Sequence, residues 1–130
     1  MFVMVLPKLL IVEDEVEVAR TLEMKLKKFG YTIVGSERSA EKAIEKAGEL
    51  HPDIVLMDIE LSGDMDGIQA ADAIRKKYQI PSIFITAICD AKTLQRVGSS
   101  IPYGYILKPF NDDELRTVID IAFEVLSKKE

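Results

Sequence analysis

Four apolar runs in this chain end on a residue able to do chemistry. Glu13-Asp14 follows Leu9-Leu10-Ile11-Val12, and Asp58 follows Ile54-Val55-Leu56-Met57. Thr86 follows Ile83-Phe84-Ile85, and Lys108 follows Tyr105-Ile106-Leu107. Three carboxylates gathered in one place repel one another unless a cation joins them. The single His and single Cys lie away from these run ends, so the donors are oxygens and suit a hard divalent ion, Mg²⁺ before others. Mg²⁺ keeps several waters and is commonly completed by phosphate oxygens. Toward such oxygens Lys108 offers a point charge and Thr86 a hydrogen bond. An aspartate in that setting can act as a nucleophile and carry an acyl phosphate. Catalysis is then mostly positioning and charge neutralisation.

Each residue alone has a plainer reading. Acidic residues after a strand are often helix caps, and a turn aspartate is common. An isolated threonine is more often a satisfied turn hydroxyl, and an isolated lysine a solvated charge. Their joint arrival at strand ends is what marks them, and that depends on the elements that carry them.

A continuous apolar run, with no alternation, is the mark of a strand covered on both faces. Leu9–Val12, Tyr31–Val34, Ile54–Met57, Ile80–Ile85 and Gly104–Leu107 read as five such strands. Between them the apolar spacing becomes helical. Val16, Ala19, Leu22, Leu26 and Phe29 form one stripe that stops at Gly30. Ala40, Ala43, Ile44, Ala47 and Leu50 form a second, with Ser39 or Ser36 as cap and His51-Pro52 as its end. A loop from Glu60 to Asp66 leads to a third helix over about 67–78, capped by Asp66. Pro81 falls at the first residues of the fourth strand, where proline is tolerated. A weaker helix follows over 90–97. A last one begins near Asp112, with Leu115, Val118, Ile119, Ala122 and Val125 inward, and frays in Lys128-Lys129-Glu130. Strands alternating with helices make a (βα)5 chain: a parallel sheet with helices on both faces. In such sheets ligands bind beyond the carboxyl ends of the strands, where Glu13, Asp14, Asp58, Thr86 and Lys108 fall.

The 130 residues suit one domain, read as 1–130 with a core over about 8–126. An apolar fraction of 48% and a charged fraction of 30% exclude a disordered or fibrous chain. A net charge of -5 speaks against a nucleic-acid or anionic-membrane surface. No run approaches the roughly 20 apolar residues that cross a bilayer. The greasy opening Met1-Phe2-Val3-Met4-Val5-Leu6 lacks the basic lead-in and cleavage site of a signal peptide. It reads as an edge extension of the first strand or a remnant of expression. With Cys89 alone, no disulfide closes within the chain, which favours a reducing compartment such as the cytoplasm.

Five segments, taken in order, resemble the receiver domain of two-component response regulators. They are Ile11-Val12-Glu13-Asp14-Glu15, Val55-Leu56-Met57-Asp58, Met65-Asp66-Gly67, Phe84-Ile85-Thr86-Ala87 and Tyr105-Ile106-Leu107-Lys108-Pro109-Phe110. The resemblance covers about Lys8 to Leu126. It implies a CheY-like, flavodoxin-like doubly wound fold with strand order 2-1-3-4-5. It implies a signalling phosphoacceptor, not an enzyme with turnover, that assists its own phosphorylation and dephosphorylation. Asp58 would take a phosphoryl group from a phosphohistidine on a sensor histidine kinase or a histidine phosphotransfer protein. Asp14 and Asp58 would bind Mg²⁺ directly, Glu13 partly through water, and Glu60 through its main-chain carbonyl. Lys108, Thr86 and the Ala87 N–H would contact the phosphoryl oxygens. The Lys108-Pro109 bond is expected to be cis, aiming the lysine into the pocket.

The resemblance also implies a switch. Thr86 would move toward the phosphoryl group, Tyr105 would enter the vacated space, and the face of the fourth helix, fifth strand and fifth helix would change shape. Leu94, Val97, Ile106 and Phe123 are candidates for apolar contacts on or under that face, with core filling the competing reading for Phe123 and Leu126. A homodimer through this face is one partner arrangement; nucleic acid and membrane are not expected to touch the domain. Glu60 and Ile88, two residues past the acceptor and the threonine, are expected to flank an attacking water and tune phosphate lifetime.

The sequence departs from the common pattern in three places. Glu13 stands where Asp is also frequent. The stretch from Glu60 to Gly67 is about one residue longer than usual and lacks its usual proline. It resembles a subgroup found in or beside hybrid and sensor-kinase proteins, which loosens any tie to transcription. Asp64 reads as a solvated loop charge before an extra metal ligand. Three rivals remain at this stage: a flavin or nucleotide binder on the same sheet, an aspartyl-phosphate-type phosphatase with Glu60 as acid/base, and a receiver-like docking module that is not phosphorylated. The first lacks a glycine-rich phosphate loop after the first strand. The second lacks length for a substrate-capping domain, and the third leaves the intact polar set unexplained.

Overall fold

The computed structural model describes residues 6–128. The extension expected of residues 1–5 and the fraying expected at 129–130 lie outside them. Ten elements alternate: β1 (Lys8–Val12), α1 (Val16–Lys28), β2 (Thr32–Glu37), α2 (Ala40–Leu50), β3 (Ile54–Met57), α3 (Gly67–Tyr78), β4 (Ser82–Thr86), α4 (Ala91–Ser99), β5 (Gly104–Leu107) and α5 (Asp112–Lys128). The sheet is parallel throughout, in the order β2-β1-β3-β4-β5. Wherever consecutive elements are strand, helix, strand, the parallel pairing requires a crossover, and the helices supply it.

Side chains on a strand alternate between faces, so each apolar run feeds two cores. Leu10, Val12, Val55, Met57 and Phe84 pack on one side against Ala40, Ala43 and Ala47 of α2, Ile68 and Ile74 of α3, and Val97 of α4. Leu9, Ile11, Ile54, Leu56, Ile83, Ile85 and Ile106 pack on the other against Leu22 and Leu26 of α1 and Leu115, Ile119 and Ala122 of α5. This explains why the runs do not alternate with polar residues. Truncating a leucine buried on either side costs about 2–5 kcal/mol.

Local signals set the helix starts. Ser39 caps α2, its Oγ accepting from the Lys42 N–H at 3.2 Å. Asp66 caps α3 in a reciprocal box with Gln69, at 2.9 Å in each direction. Asp90 caps α4, accepting from the Thr93 N–H at 2.9 Å.

Some expectations need correction. β2 runs over Thr32–Glu37 and not 31–34, because Val12 of β1 pairs with Glu37 and draws the ladder onward. Tyr31 instead enters the core below α5, 5% exposed. β4 starts at Ser82; Pro81 precedes it and uses its carbonyl to accept from the Val55 N–H at 3.0 Å. Thr86 is therefore the last residue of its strand, not the first beyond it. Val125, expected inward, is 44% exposed. The inward stripe of α5 is 115-119-122-126, and position 125 stands about 100° away from 126 on a helix of 3.6 residues per turn. Val16, at the first turn of α1, is also exposed. No helix among the described residues is long and apolar enough to cross a membrane.

Candidate functional site

Backbone hydrogen bonds continue past the strands and fix where the polar residues stand. The Glu13 N–H donates to the Glu37 carbonyl at 3.0 Å and the Asp58 N–H to the Val12 carbonyl at 3.0 Å. The Lys108 N–H donates to the Thr86 carbonyl at 2.8 Å. Each residue is thus tied to the neighbouring strand one step beyond its own, so the sheet itself brings them to one edge. The Lys108-Pro109 peptide is cis.

There the side chains converge. One carboxylate oxygen from each of Glu13, Asp14 and Asp58 lies within 4.8 Å of the others. Lys108 Nζ donates to Glu13 Oε1 at 2.7 Å and to Asp58 Oδ2 at 3.1 Å. Asp58 Oδ1 accepts from the Glu60 N–H at 3.1 Å, and Glu13 Oε2 from the Glu15 N–H at 3.1 Å. Asp14 Oδ2 accepts from the Ser62 hydroxyl at 2.9 Å. Glu13 and Asp58 are 3% and 6% exposed, so neither charge is screened by bulk water. Burial lifts the Glu13 carboxyl above its ordinary range, against the pull of Lys108. Burial alone would lower the Lys108 ammonium; its bond to Glu13 and the charge of Asp58 prevail and raise it. The lysine is thereby held in its charged form between two carboxylates.

The crevice above this cluster has a volume of about 360 Å³, with Asp14, Asp58, Glu60, Ser62, Ala87 and Lys108 on its walls. Larger clefts exist, but among the described residues the converging group of three carboxylates is at this one, so chemistry and not volume locates the site. Three all-oxygen donors with a net negative balance and an open side fit a hard divalent cation. Asp64 is exposed and stands outside the acidic cluster.

Thr86 is fully buried and does not line the crevice; its Oγ1 accepts from the Ile88 N–H at 3.3 Å. The Tyr105 hydroxyl donates to the Ile88 carbonyl. Ile88 packs its side chain on the core, while Glu60 faces the crevice. Between α4, β5 and α5 lies a cleft of about 700 Å³ lined by Leu94, Tyr105 and Leu107 among others. Leu94 is 44% exposed there, whereas Val97 and Ile106 are buried beneath. Phe123 and Leu126 pack on the α1–α5 side of the core, so Phe123 fills that core and is absent from the cleft.

Sequence reasoning missed Ser62, which a serine in a polar loop gives no periodic signal to reveal. It also missed the ion pair between Arg96 of α4 and Asp66, at 2.8 Å.

A family model described as "Response regulator receiver domain" matches residues 9–120. The chain belongs to that family: it is a receiver domain of the kind found in signalling response regulators. It is 35% identical over 116 residues to the transcriptional regulatory protein PdtaR of Mycobacterium tuberculosis, which covers 88% of this chain and 56% of that protein. It is 32% identical over 123 residues to the regulatory protein AtoC of Escherichia coli, covering 94% and 26%. The chain therefore spans about half or less of the curated relatives it matches. Among solved structures it is similar to the signal receiver domain of a modulated diguanylate cyclase from Desulfovibrio desulfuricans, with a TM-score of 0.91 and 38% identity over 97% of this chain and 100% of that one. A CheY-like receiver from Methanospirillum hungatei, at 22% identity and a TM-score of 0.88, shares the fold, covering 97% of this chain and 100% of that one.

Proposed function

We propose that Asp58 is the phosphoacceptor of this receiver domain, taking a phosphoryl group from a phosphohistidine on a sensor histidine kinase or histidine phosphotransfer protein. The observation that carries the reading is the meeting of Glu13, Asp14 and Asp58 within 4.8 Å, with Lys108 bonded between two of them. An Asp58 oxygen attacks phosphorus as the P–N bond breaks, and the imidazole nitrogen leaves with the bonding pair. Asp58 is held for this by the Glu60 N–H on its other oxygen. Glu13, Asp14 and Asp58, with the Glu60 carbonyl, are the residues that would hold Mg²⁺, which supplies charge neutralisation between acceptor and donor. Lys108 then shifts its ammonium from Asp58 to a phosphoryl oxygen, and the Ala87 N–H on the crevice wall donates to another.

The added phosphoryl group brings about -1.5 to -2 charges and strong acceptor oxygens. Thr86 can answer by giving up the Ile88 N–H and donating toward the phosphate. The link through Ile88 carries that motion to Tyr105 and to the α4-β5-α5 face, where a partner or a second copy of the chain would read it. The domain assists its own phosphorylation and dephosphorylation, works in the cytoplasm, and makes no nucleic-acid or membrane contact of its own. Glu60 borders the path of an attacking water and tunes phosphate lifetime.

Mass spectrometry after incubation with Mg²⁺ and a small-molecule phosphodonor tests the reading. One added phosphoryl group on the wild-type chain, absent in Asp58→Asn, is the expected result. No adduct on either chain would defeat it.

A further inference from the structure

The three carboxylates of the site are not held equally. Glu13 receives a backbone N–H and Lys108, and Asp58 likewise receives a backbone N–H and Lys108. Among the described residues, the carboxylate of Asp14 receives one hydrogen bond, from the Ser62 hydroxyl. That bond joins positions 48 residues apart, across the mouth of the crevice, between the loop after β1 and the loop after β3. Gly63, at φ 102, supplies the left-handed turn beside it that brings Ser62 back over the site, a conformation other residues take only with strain.

We propose that Ser62 is a positioning residue: its hydroxyl fixes the carboxylate of Asp14 for the metal ion, and so sets how tightly the site takes Mg²⁺. The inference rests on the metal-site reading given above. An ionised carboxylate has about four lone-pair positions, so one hydroxyl bond orients the group and leaves capacity for an ion. Ligands held by an outer hydrogen bond lose less freedom on binding metal, and removing such a partner typically weakens affinity by about 10–100-fold. Because Ser62 is exposed and Asp14 only half-buried, water competes for the same oxygen, and the lower end of that range applies.

The test is calorimetric titration of MgCl₂ into the full chain. Ser62→Ala should bind about tenfold more weakly, and Ser62→Thr, which keeps the hydroxyl, should recover most of the loss. In the metal-free proteins, the ¹³C shift of the Asp14 carboxyl carbon should move in Ser62→Ala while those of Glu13 and Asp58 stay in place. Wild-type affinity in Ser62→Ala, or an equal loss in Ser62→Ala and Ser62→Thr, would overturn the role of the hydroxyl and leave the metal site standing. A wild-type chain that takes up no Mg²⁺ would overturn the metal-site reading and this inference with it.

Discussion

Thr86 and Tyr105 are joined through the two backbone groups of one residue. Ile88 donates its N–H to Thr86 Oγ1 and accepts at its carbonyl from the Tyr105 hydroxyl. A movement of the threonine toward the crevice therefore releases one end of the Ile88 peptide pair while the tyrosine still holds the other. Ile88, in the loop after β4, is thereby bonded to a side chain of β4 at one end and of β5 at the other.

Tyr105→Phe cuts this chain at the β5 end and leaves the acidic cluster untouched. Loss of one half-buried hydrogen bond should cost about 1 kcal/mol of stability. Phosphorylation of Asp58 should proceed, but its effect on α4 and β5 should shrink. Amide hydrogen exchange over 91–107, with and without phosphodonor, reads this out. A phospho-dependent change in exchange as large as that of the wild-type chain would show that the tyrosine is not part of the coupling.

Arg96 and Asp66 form a second link, tying α4 to the residue that caps α3. Val97 is the one buried side chain within α4, so this helix has little else to hold it. The pair is partly exposed, at 42% and 30%, so its own contribution is about 0–1 kcal/mol. Arg96→Gln should leave global stability nearly unchanged while speeding amide exchange in α4 alone. Asp66→Ala removes the cap of α3 as well and should cost about 1–2 kcal/mol more. Equal unfolding midpoints for the two variants would contradict the assignment of the cap to Asp66.

Most of this frame is legible in the sequence because burial on both faces writes itself as unbroken apolar runs, and Leu9–Val12 and Ile54–Met57 need nothing else to be read as strands. Asp14, Asp58 and Lys108 are legible for the same reason: they are where such runs stop. Thr86 is legible by type but not by state, since nothing local tells that its hydroxyl turns to Ile88 and away from the crevice. β2 is harder. As an edge strand it is only partly buried, so Gly35, Ser36 and Glu37 break the apolar pattern although they pair with β1. Ser62 and Arg96 act through single long-range bonds, which leave no period in the sequence at all.

Gly67 is required by packing, not by its backbone angles. A Cβ there would collide with the backbone carbonyl of Asp58, and the Gly67 N–H donates to the Ile59 carbonyl at 2.8 Å. The start of α3 thus lies directly on the segment that carries Asp58. Gly67→Ala must push that segment away and should cost about 3 kcal/mol. Gly98→Ala, with open space around its Cβ and a helical backbone, should be neutral or stabilising by up to about 1 kcal/mol. Urea unfolding of the two variants separates the cases, and an unaffected midpoint in Gly67→Ala would disprove the close approach.

Tyr31 gives the fold a pH dependence distinct from that of the site. Its hydroxyl donates to Asp120 Oδ1 at 2.5 Å, anchoring the entry of β2 to α5. Burial first, and then the bond to the Asp120 carboxylate, push its ionisation above the ordinary value of 10.0. A group raised in the folded state binds its proton more tightly there than in the unfolded chain. Its contribution is whole below the unfolded value and is lost as pH climbs from there toward the folded one. Tyr31→Phe should therefore be less stable than the wild-type chain by about 1 kcal/mol at neutral pH. Above about pH 10 the wild-type chain loses stability through this group while the variant does not, so the gap between them should narrow. Urea midpoints of both chains between pH 7 and pH 11 measure it, and a gap that stays constant across that interval would mean that Tyr31 ionises as freely in the folded protein as in the unfolded one.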